Sequence, residues 1–262
     1  MIEEGITWET SRKGEPGKLT FSVVKDNIID FQEGNHVRLT VDGVNLFYGF
    51  VFVKKRNKEG IISVTAYDQL RYLKNKETYL YTNKKASELL RMIAEDFRLQ
   101  TGTIEDTKYV IPYRKEENNT LFDIIQSALD LTLQNQKNMF VLYDDFGKLT
   151  LKNIESMKIN LFINEETGEN FDYTSSIDEQ TYNKIKLSYD NEDAGKREIY
   201  IAQDSANMNA WGVLQYFDTL KKGENGQVKA DALLSLYNKK TRNLKLSNVL
   251  GLSLIHILTI IL

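Results

Sequence analysis

Few residues in this chain of 262 are of types that do covalent or metal chemistry, and their spacing narrows the choice further. There is no cysteine, which removes disulfides, thiolate metal sites and a cysteine nucleophile. Of the two histidines, His256 lies in an aliphatic terminal stretch and His36 opens the run HVRLTV, where it reads as a strand-start surface side chain. A zinc site would then have to be made mostly of carboxylates, an unusual donor set for that metal. No serine sits in a nucleophile-elbow glycine pattern, so a Ser-His-Asp triad has no foundation. Two carboxylate pairs, Asp144-Asp145 and Glu165-Glu166, have the chemistry for glycoside hydrolysis. Both sit beside glycine-containing turns, and adjacent strand residues point to opposite faces, so they read as solvated hairpin tips. Ala194-Gly195-Lys196-Arg197 lacks the upstream glycine and the following Ser/Thr of a phosphate loop and reads as a turn. No catalytic, cofactor or metal residue is assigned.

The elements that would position any site begin with four strand-like runs between Gly17 and Tyr72. Leu19, Phe21 and Val23, then Val37, Leu39 and Val41, then Ile62, Val64 and Ala66 alternate with polar residues, the period of a half-buried strand. Asp42-Gly43 supplies the left-handed backbone of a two-residue hairpin between Val41 and Val44. A second turn is expected over Arg56 to Gly60, and a polar-aromatic helical tail after Tyr67. The third run departs from simple alternation. Leu46, Tyr48, Phe50 and Phe52 share one face, while Phe47, Val51 and Val53 make the other apolar as well. A strand apolar on both sides belongs inside a sheet stack or at a subunit contact. Phe47, Val51 and Val53 are therefore candidate subunit-interface residues, or part of an inner barrel wall. Lys54, Lys55, Arg56 and Lys58, at the following turn, are candidates for contact with a neighbouring ring of an assembly, where opposite charges would set register.

From Lys84 to Phe97 the period changes to that of a helix, with Asn83 as the expected N-cap. A second helix is predicted from about Leu121 to Leu133, where Thr120 followed by Asp123 is capping-box-like. MFVLYDD and KLTLKN face each other across Phe146-Gly147. Strands resume in NKIKLSYDN and KREIYIAQD, turning near Ala194-Gly195, with Ile199 and Ile201 expected to answer Ile185, Leu187 and Tyr189. Trp211 to Phe217 reads as extended, Lys221 to Gln227 as a loop, Val228 to Lys240 as a helix and NLKLSN as a strand.

The strings TWETSRKGEPGKLTFSVV, FQEGNHVRLTVDGVNLFYGFVFVKKR and VTAYDQLRYLKNKETY resemble the baseplate hub proteins of Gram-positive contractile-tailed phages and defective prophages, the XkdQ/YqbQ family, relatives of the late control D proteins. The resemblance continues through TLFDIIQSALDLTL, VLYDDFGKLTLKNI, ENFDYTSSID, QTYNKIKLSYDN and WGVLQYFDTL, and so covers nearly all of residues 5 to 251. It implies an α+β, β-rich fold of two tail-tube-like antiparallel barrels separated by a small α/β module. On this reading residues 1–75 form the first barrel, 76–153 the α/β module and 154–251 an incomplete second barrel.

The resemblance also implies a non-enzymatic homotrimeric ring that adapts a sixfold tail tube to a threefold spike. Its partners would be tube, spike and other baseplate proteins, with DNA only as passing cargo, no membrane anchor and no cofactor. The implied place is the virion tail baseplate, after assembly in the host bacterial cytoplasm.

Residues 252–262, LSLIHILTIIL, break the polar pattern. Leu252 to Ile257 spell what one reading frame of a transposon mosaic-end adapter encodes, so this tail is expected to be adapter-derived. Family members usually continue through further strands, and often begin with one more ahead of the TWETSRKG segment.

Composition sets the rivals. A net charge of −3 does not suit a protein that coats nucleic acid. An oligonucleotide-binding barrel would want a basic, aromatic groove. A tail-associated peptidoglycan hydrolase, the alternative enzyme, would need separated carboxylates across a cleft. The N-terminus has neither the basic region nor the apolar core of a signal peptide.

Overall fold

The computed structural model describes residues 5–25, 30–158, 168–178, 180–191, 195–220, 224–249 and 258–261. The chain divides into two compact units. One holds Met1–Leu133, Asn138–Lys158 and Ile255–Leu262; the other holds Gln134–Lys137 and Ile159–Leu254.

The first unit opens with β1 (Thr7–Glu9), β2 (Lys18–Val24), β3 (His36–Val41), β4 (Val44–Arg56) and β5 (Ile61–Tyr67). These pair antiparallel in the order β1-β2-β5-β4-β3, in a curled, half-barrel sheet. The expected alternation is realised: Leu19, Phe21, Val23, Val37, Leu39, Phe47, Val51, Ile62, Val64 and Ala66 gather on the concave face with Phe31. Burial of each such large apolar side chain contributes on the order of 1.5–3 kcal/mol. Asp42 and Gly43 both have positive φ, so the β3–β4 hairpin forms where Asp-Gly predicted it, with Val41 opposite Val44. Between Phe47 and Val51 the concave face carries Gly49. A Cβ there would lie 2.3 Å from the Tyr67 carbonyl oxygen, so no larger residue fits.

A 3-10 turn, Gln69–Lys74, leaves β5 with Asp68 as its cap. Then follow β6 (Lys76–Lys85), α1 (Ala86–Asp96), β7 (Thr101–Ile104), β8 (Val110–Thr120), α2 (Leu121–Gln136), β9 (Phe140–Asp144) and β10 (Leu149–Asn153). β6 and β8 form an antiparallel ribbon, and β10 lies between β7, parallel, and β9, antiparallel. The apolar stripes of α1 and α2 share one core with Leu70, Leu73, Tyr79, Tyr81, Leu149 and Leu151. Thr120 Oγ1 accepts from the Asp123 N–H (3.1 Å), the N-cap half of a capping box, and its hydroxyl donates to Asp123 Oδ2 (2.6 Å).

The start of α1 differs from expectation. Asn83 has φ +50° and belongs to β6, so the cap falls two residues later, at Lys85. There the Lys85 N–H donates to Glu88 Oε2 (2.9 Å), and the Ser87 N–H is taken by Thr107 Oγ1 (3.2 Å). The orphan donors of the first turn thus find partners without Asn83.

The second unit comprises β11 (Gly168–Ser176), β12 (Lys184–Asn191), β13 (Lys196–Gln203), α3 (Ser205–Trp211), β14 (Gln215–Thr219), α4 (Gly226–Tyr237) and β15 (Thr241–Val249). β11 pairs with β15, and β12 lies between antiparallel β13 and parallel β14. Ile185, Leu187, Ala202 and Leu220 pack with Ala230 and Leu233 of α4. Asn183 is fully buried and ties three segments: Nδ2 donates to Gly212 O (2.7 Å), Oδ1 accepts from the Leu214 N–H (2.9 Å), and its carbonyl accepts from the Asp204 N–H (2.9 Å).

Three expectations fail in this unit. Ile199 and Ile201 do not answer Ile185 and Leu187; they are 52% and 45% exposed, while Ala202 and Tyr200 stand opposite the two core residues. A one-residue change of phase moves a whole strand face. Trp211 ends α3, whose cap is Asp204, and the extended stretch begins only at Gln215. Gly226 already starts α4 under an Asn225 cap; residues 221–223 of the expected loop lie outside the described residues.

A last strand, β16 (Leu258–Ile261), pairs antiparallel with the free edge of β3, Leu258 opposite Val41.

Candidate functional site

β4 is thirteen residues long and changes character midway. The pairing of β4 with β5 slips between Val51 and Val53, a bulge that places two β4 residues against one on β5. Before the slip Phe47 and Val51 point into the core, at 3% and 1% exposure. After it the phase is reversed. Val53 is 41% exposed, and Lys54 stands opposite the buried Val64.

Of the three candidate interface residues, then, Phe47 and Val51 lie in the chain's own core, and Val53 alone stands outward. Of the four basic candidates, Lys54 is tied to its own chain. Its Nζ donates to the Phe31 carbonyl (2.7 Å) and lies 5.2 Å from the centre of the Phe31 ring. Lys55, Arg56 and Lys58 stay exposed at the hairpin end, where Asn57 Oδ1 accepts from the Glu59 and Ile61 N–H groups and shapes the turn.

The outer face of β4 carries a continuous aromatic layer that the reading of Phe47, Val51 and Val53 passed over. Tyr48 meets Phe50 edge-on at 5.8 Å and Phe146 at 5.7 Å. Phe50 meets Tyr72, and Phe52 meets both Tyr67 and Tyr72, at 5.5–6.3 Å. Such offset and edge-to-face pairs each contribute about 0.5–1.5 kcal/mol beyond area burial. Arg38 lies over the Tyr48 ring (5.5 Å) and Arg71 over Phe52 (5.4 Å). His36 stacks on Tyr48 at 6.1 Å, an exposed strand-start histidine as expected. The tyrosine and phenylalanine rings of this layer are half-buried, a surface suited to protein contact. The signal for it was Gly49. A small residue between Phe47 and Val51 marks the tightly packed side, leaving Tyr48, Phe50 and Phe52 for the outside.

Asp144 is not the solvated tip that its turn suggested. Asp144 Oδ1 accepts from the Gly147 N–H (2.6 Å) and its Oδ2 is buried, while the neighbouring Asp145 is exposed. Burial pushes the Asp144 carboxyl up to about 6. Asp68 is 5% exposed; burial and the charge of Asp144 push it up to about 8. That outcome prevails even though both Asp68 oxygens accept main-chain hydrogen bonds, Oδ2 from Gly17 (2.8 Å) and Oδ1 from Leu70 (3.0 Å). Since Asp144 is inside and Asp145 outside, the pair does not flank a common substrate.

Gly195 has φ +60° in the β12–β13 turn, and Arg197 pairs with Asp190 (2.6 Å), so the Gly-Lys step is a turn. Glu165-Glu166 lies outside the described residues. Among the described residues no three His, Cys, Asp or Glu side chains gather as metal ligands, and no helix is long and apolar enough to cross a membrane.

The combination of half-barrel sheet, α/β module and second β-rich unit is a fold found in prophage tail proteins. The 43 kDa tail protein of prophage MuSo2 from Shewanella oneidensis superposes with a TM-score of 0.68 at 12% identity, over 90% of this chain and 76% of that one. Prophage tail protein gp18 of Listeria monocytogenes gives 0.57 at 12% identity, over 89% and 72%.

The chain belongs to the YQBQ-like family, which it matches over residues 6–256. It is 30% identical to the uncharacterized protein YqbQ of Bacillus subtilis, over 92% of this chain and 75% of that protein. To the phage-like element PBSX protein XkdQ of the same organism it is 31% identical, over 95% and 78%.

Proposed function

We propose that this chain is a structural baseplate hub protein of a contractile phage or prophage tail. In this reading three copies close into a ring that adapts the sixfold tail tube to the threefold spike, each copy contributing two tube-like barrels. The observation that carries it is one agreement: membership of the YQBQ-like family over residues 6–256, together with the fold of prophage tail proteins over nine-tenths of the chain. The half-barrel sheet belongs to the first barrel (1–75), joined through the α/β module (76–153) to a second (154–251), with 252–262 as a foreign tail. Heterologous contacts that close on themselves satisfy such a ring. The half-buried aromatic face of β4 with Val53 is the surface proposed for the subunit contact. Lys55, Arg56 and Lys58 are proposed for contact with an adjoining ring.

The partners are the tube and spike proteins and further baseplate components. DNA passes through the channel without being gripped, and the protein acts in the virion baseplate after assembly in the host cytoplasm, without enzymatic activity. Mass measurement in solution with low-resolution imaging, on the protein alone and mixed with its tube and spike proteins, tests this. A trimeric ring with a central channel is the expected result. A monomer that persists in the presence of both partners overturns the reading.

A further inference from the structure

The three-stranded sheet of the second unit is filled on one face only. Ile185 and Leu187 of β12, with Tyr200 and Ala202 of β13 and Tyr216 of β14, belong to the core that includes Ala230 and Leu233 of α4. On the other face the register sets Ile201 of β13 and Phe217 of β14 on either side of Lys186, and Ile199 and Thr219 on either side of Ser188. Residues paired across neighbouring strands share a face, so these side chains make one surface. Ile199 and Ile201 are joined there by Phe217, which is 57% exposed, and the small Ser188 is buried between its neighbours.

Charge runs through the middle of this surface. At one end Arg197 is held by Asp190 through two hydrogen bonds, of 2.6 and 3.2 Å. Lys184 and Lys186, on the central strand, have no ion pair or hydrogen bond among the described residues, and both are half-buried. Lysine stems so placed lie along apolar neighbours while the ammonium heads stay in water. A partner that covers the two isoleucines and the phenylalanine must therefore also take ammonium groups out of water. That step is costly unless a carboxylate meets them. A second copy stacked face to face would bring its own two unpaired lysines instead, and like charges across a contact oppose it.

We propose that the outer face of β13-β12-β14 is a docking surface for a different protein, one that lays aliphatic or aromatic side chains against Ile199, Ile201 and Phe217 and sets a carboxylate against Lys184 or Lys186. The apolar contact supplies the hold, and the ammonium–carboxylate pairing selects partner and register. This surface lies on strands other than β4 and does not depend on the hub reading.

Carbodiimide, which joins an ammonium to a carboxylate in direct contact, tests the surface on tail particles that carry the whole chain, with the isolated chain as reference. Linked peptides are read by mass spectrometry, and acetylation of Lys184 and Lys186 is followed in both samples. The expected result is a link from Lys184 or Lys186 to an Asp or Glu of another particle protein, with acetylation of the linked lysine slowed at least tenfold in the particle. Ile199→Ser combined with Ile201→Ser keeps both lysines and alters no core position, and should cut the linked yield per chain at least tenfold. Acetylation as fast in the particle as in the isolated chain overturns the proposal. So does protection without any link, a link only to carboxylates of this chain or of a second copy, or an unchanged yield in the serine variant.

Discussion

Gly147 lies directly against the ring of Tyr48, with left-handed backbone (φ +84°) and 2.6 Å between a would-be Cβ and Tyr48 Cδ1. Gly147→Ala therefore meets both a strained conformation and an overlap. The expected cost is about 1–3 kcal/mol, read as a fall in the urea midpoint at unchanged slope. Gly60 has the same φ and open space around it, so Gly60→Ala isolates the conformational share and should cost less. Equal losses at the two sites would show that the Tyr48 contact contributes nothing.

The bulge in β4 predicts opposite behaviour for two valines two residues apart. Val51→Ala removes two methyl groups from a closed core and should cost about 1.5–3 kcal/mol. Val53→Ala should leave monomer stability within about 0.5 kcal/mol. On the hub reading Val53→Asp weakens self-association in sedimentation experiments while the fold persists. Retained assembly in the aspartate variant would remove Val53 from the proposed contact.

Asn183 makes four hydrogen bonds with no exposed surface, its N–H also donating to the Leu214 carbonyl (2.9 Å). Asn183→Ala removes the side-chain partners of the Leu214 N–H and the Gly212 carbonyl, each bond contributing about 0.5–1.5 kcal/mol where water can take its place. Limited proteolysis should then open the segment between α3 and β14 well before it cuts the half-barrel sheet. An unchanged digestion pattern would contradict this account.

Asp68 sets the pH dependence of global stability. Its carboxyl is raised in the folded chain, so the folded state binds more protons than the unfolded state between the ordinary carboxylate value and about 8. The stability it contributes is fully present below pH 4 and is lost as pH rises to about 8. Asp106, Asp190, Asp204 and Glu198 are shifted the other way, by hydrogen bonds to Lys85, Arg197, Asn207 and Tyr200 respectively. Their contributions are present at neutral pH and lost on acidification through their lowered values. The urea midpoint should accordingly be highest in mildly acidic solution and fall toward pH 8.5. A midpoint that rises steadily from pH 6 to 8.5 would show that Asp68 is ionised in the folded chain throughout.

How far the sequence could be read depended on whether a rule was local. β2, β3 and β5 were legible because alternation and the Asp42-Gly43 turn are properties of adjacent residues. The cap at Thr120 was legible for the same reason. The ribbon of β6 and β8 was not, because its exposed positions include Glu77, Lys115, Glu117 and Asn118 and its apolar residues are sparse. The phase of β13 was misread because hydrophobicity favours Ile199 and Ile201. What decides it is distant: Gly226 at the head of α4 leaves room for the Tyr200 ring, where a Cβ would lie 2.3 Å away. The effect of the Asp144 charge on buried Asp68 comes from a residue far off in the chain, and nothing in either neighbourhood announces it.

The slip in β4 has a consequence for how this strand can change over time. Ahead of it, side chains are held to the size and polarity of a closed interior; beyond it, the same strand obeys the demands of whatever it touches outside. Because the slip resets which side is which, a substitution in the arm from Val53 to Arg56 does not propagate a fault into the core. Loss of Phe52 itself would only remove the extra residue, leaving Val53 outward and Lys54 opposite Val64. Loss of a residue beyond the slip, within Val53 to Arg56, would shift the facing of the rest of the arm alone. The strand is thus two independently variable segments on one backbone, and the arm can follow a changing partner while the half-barrel stays as it is.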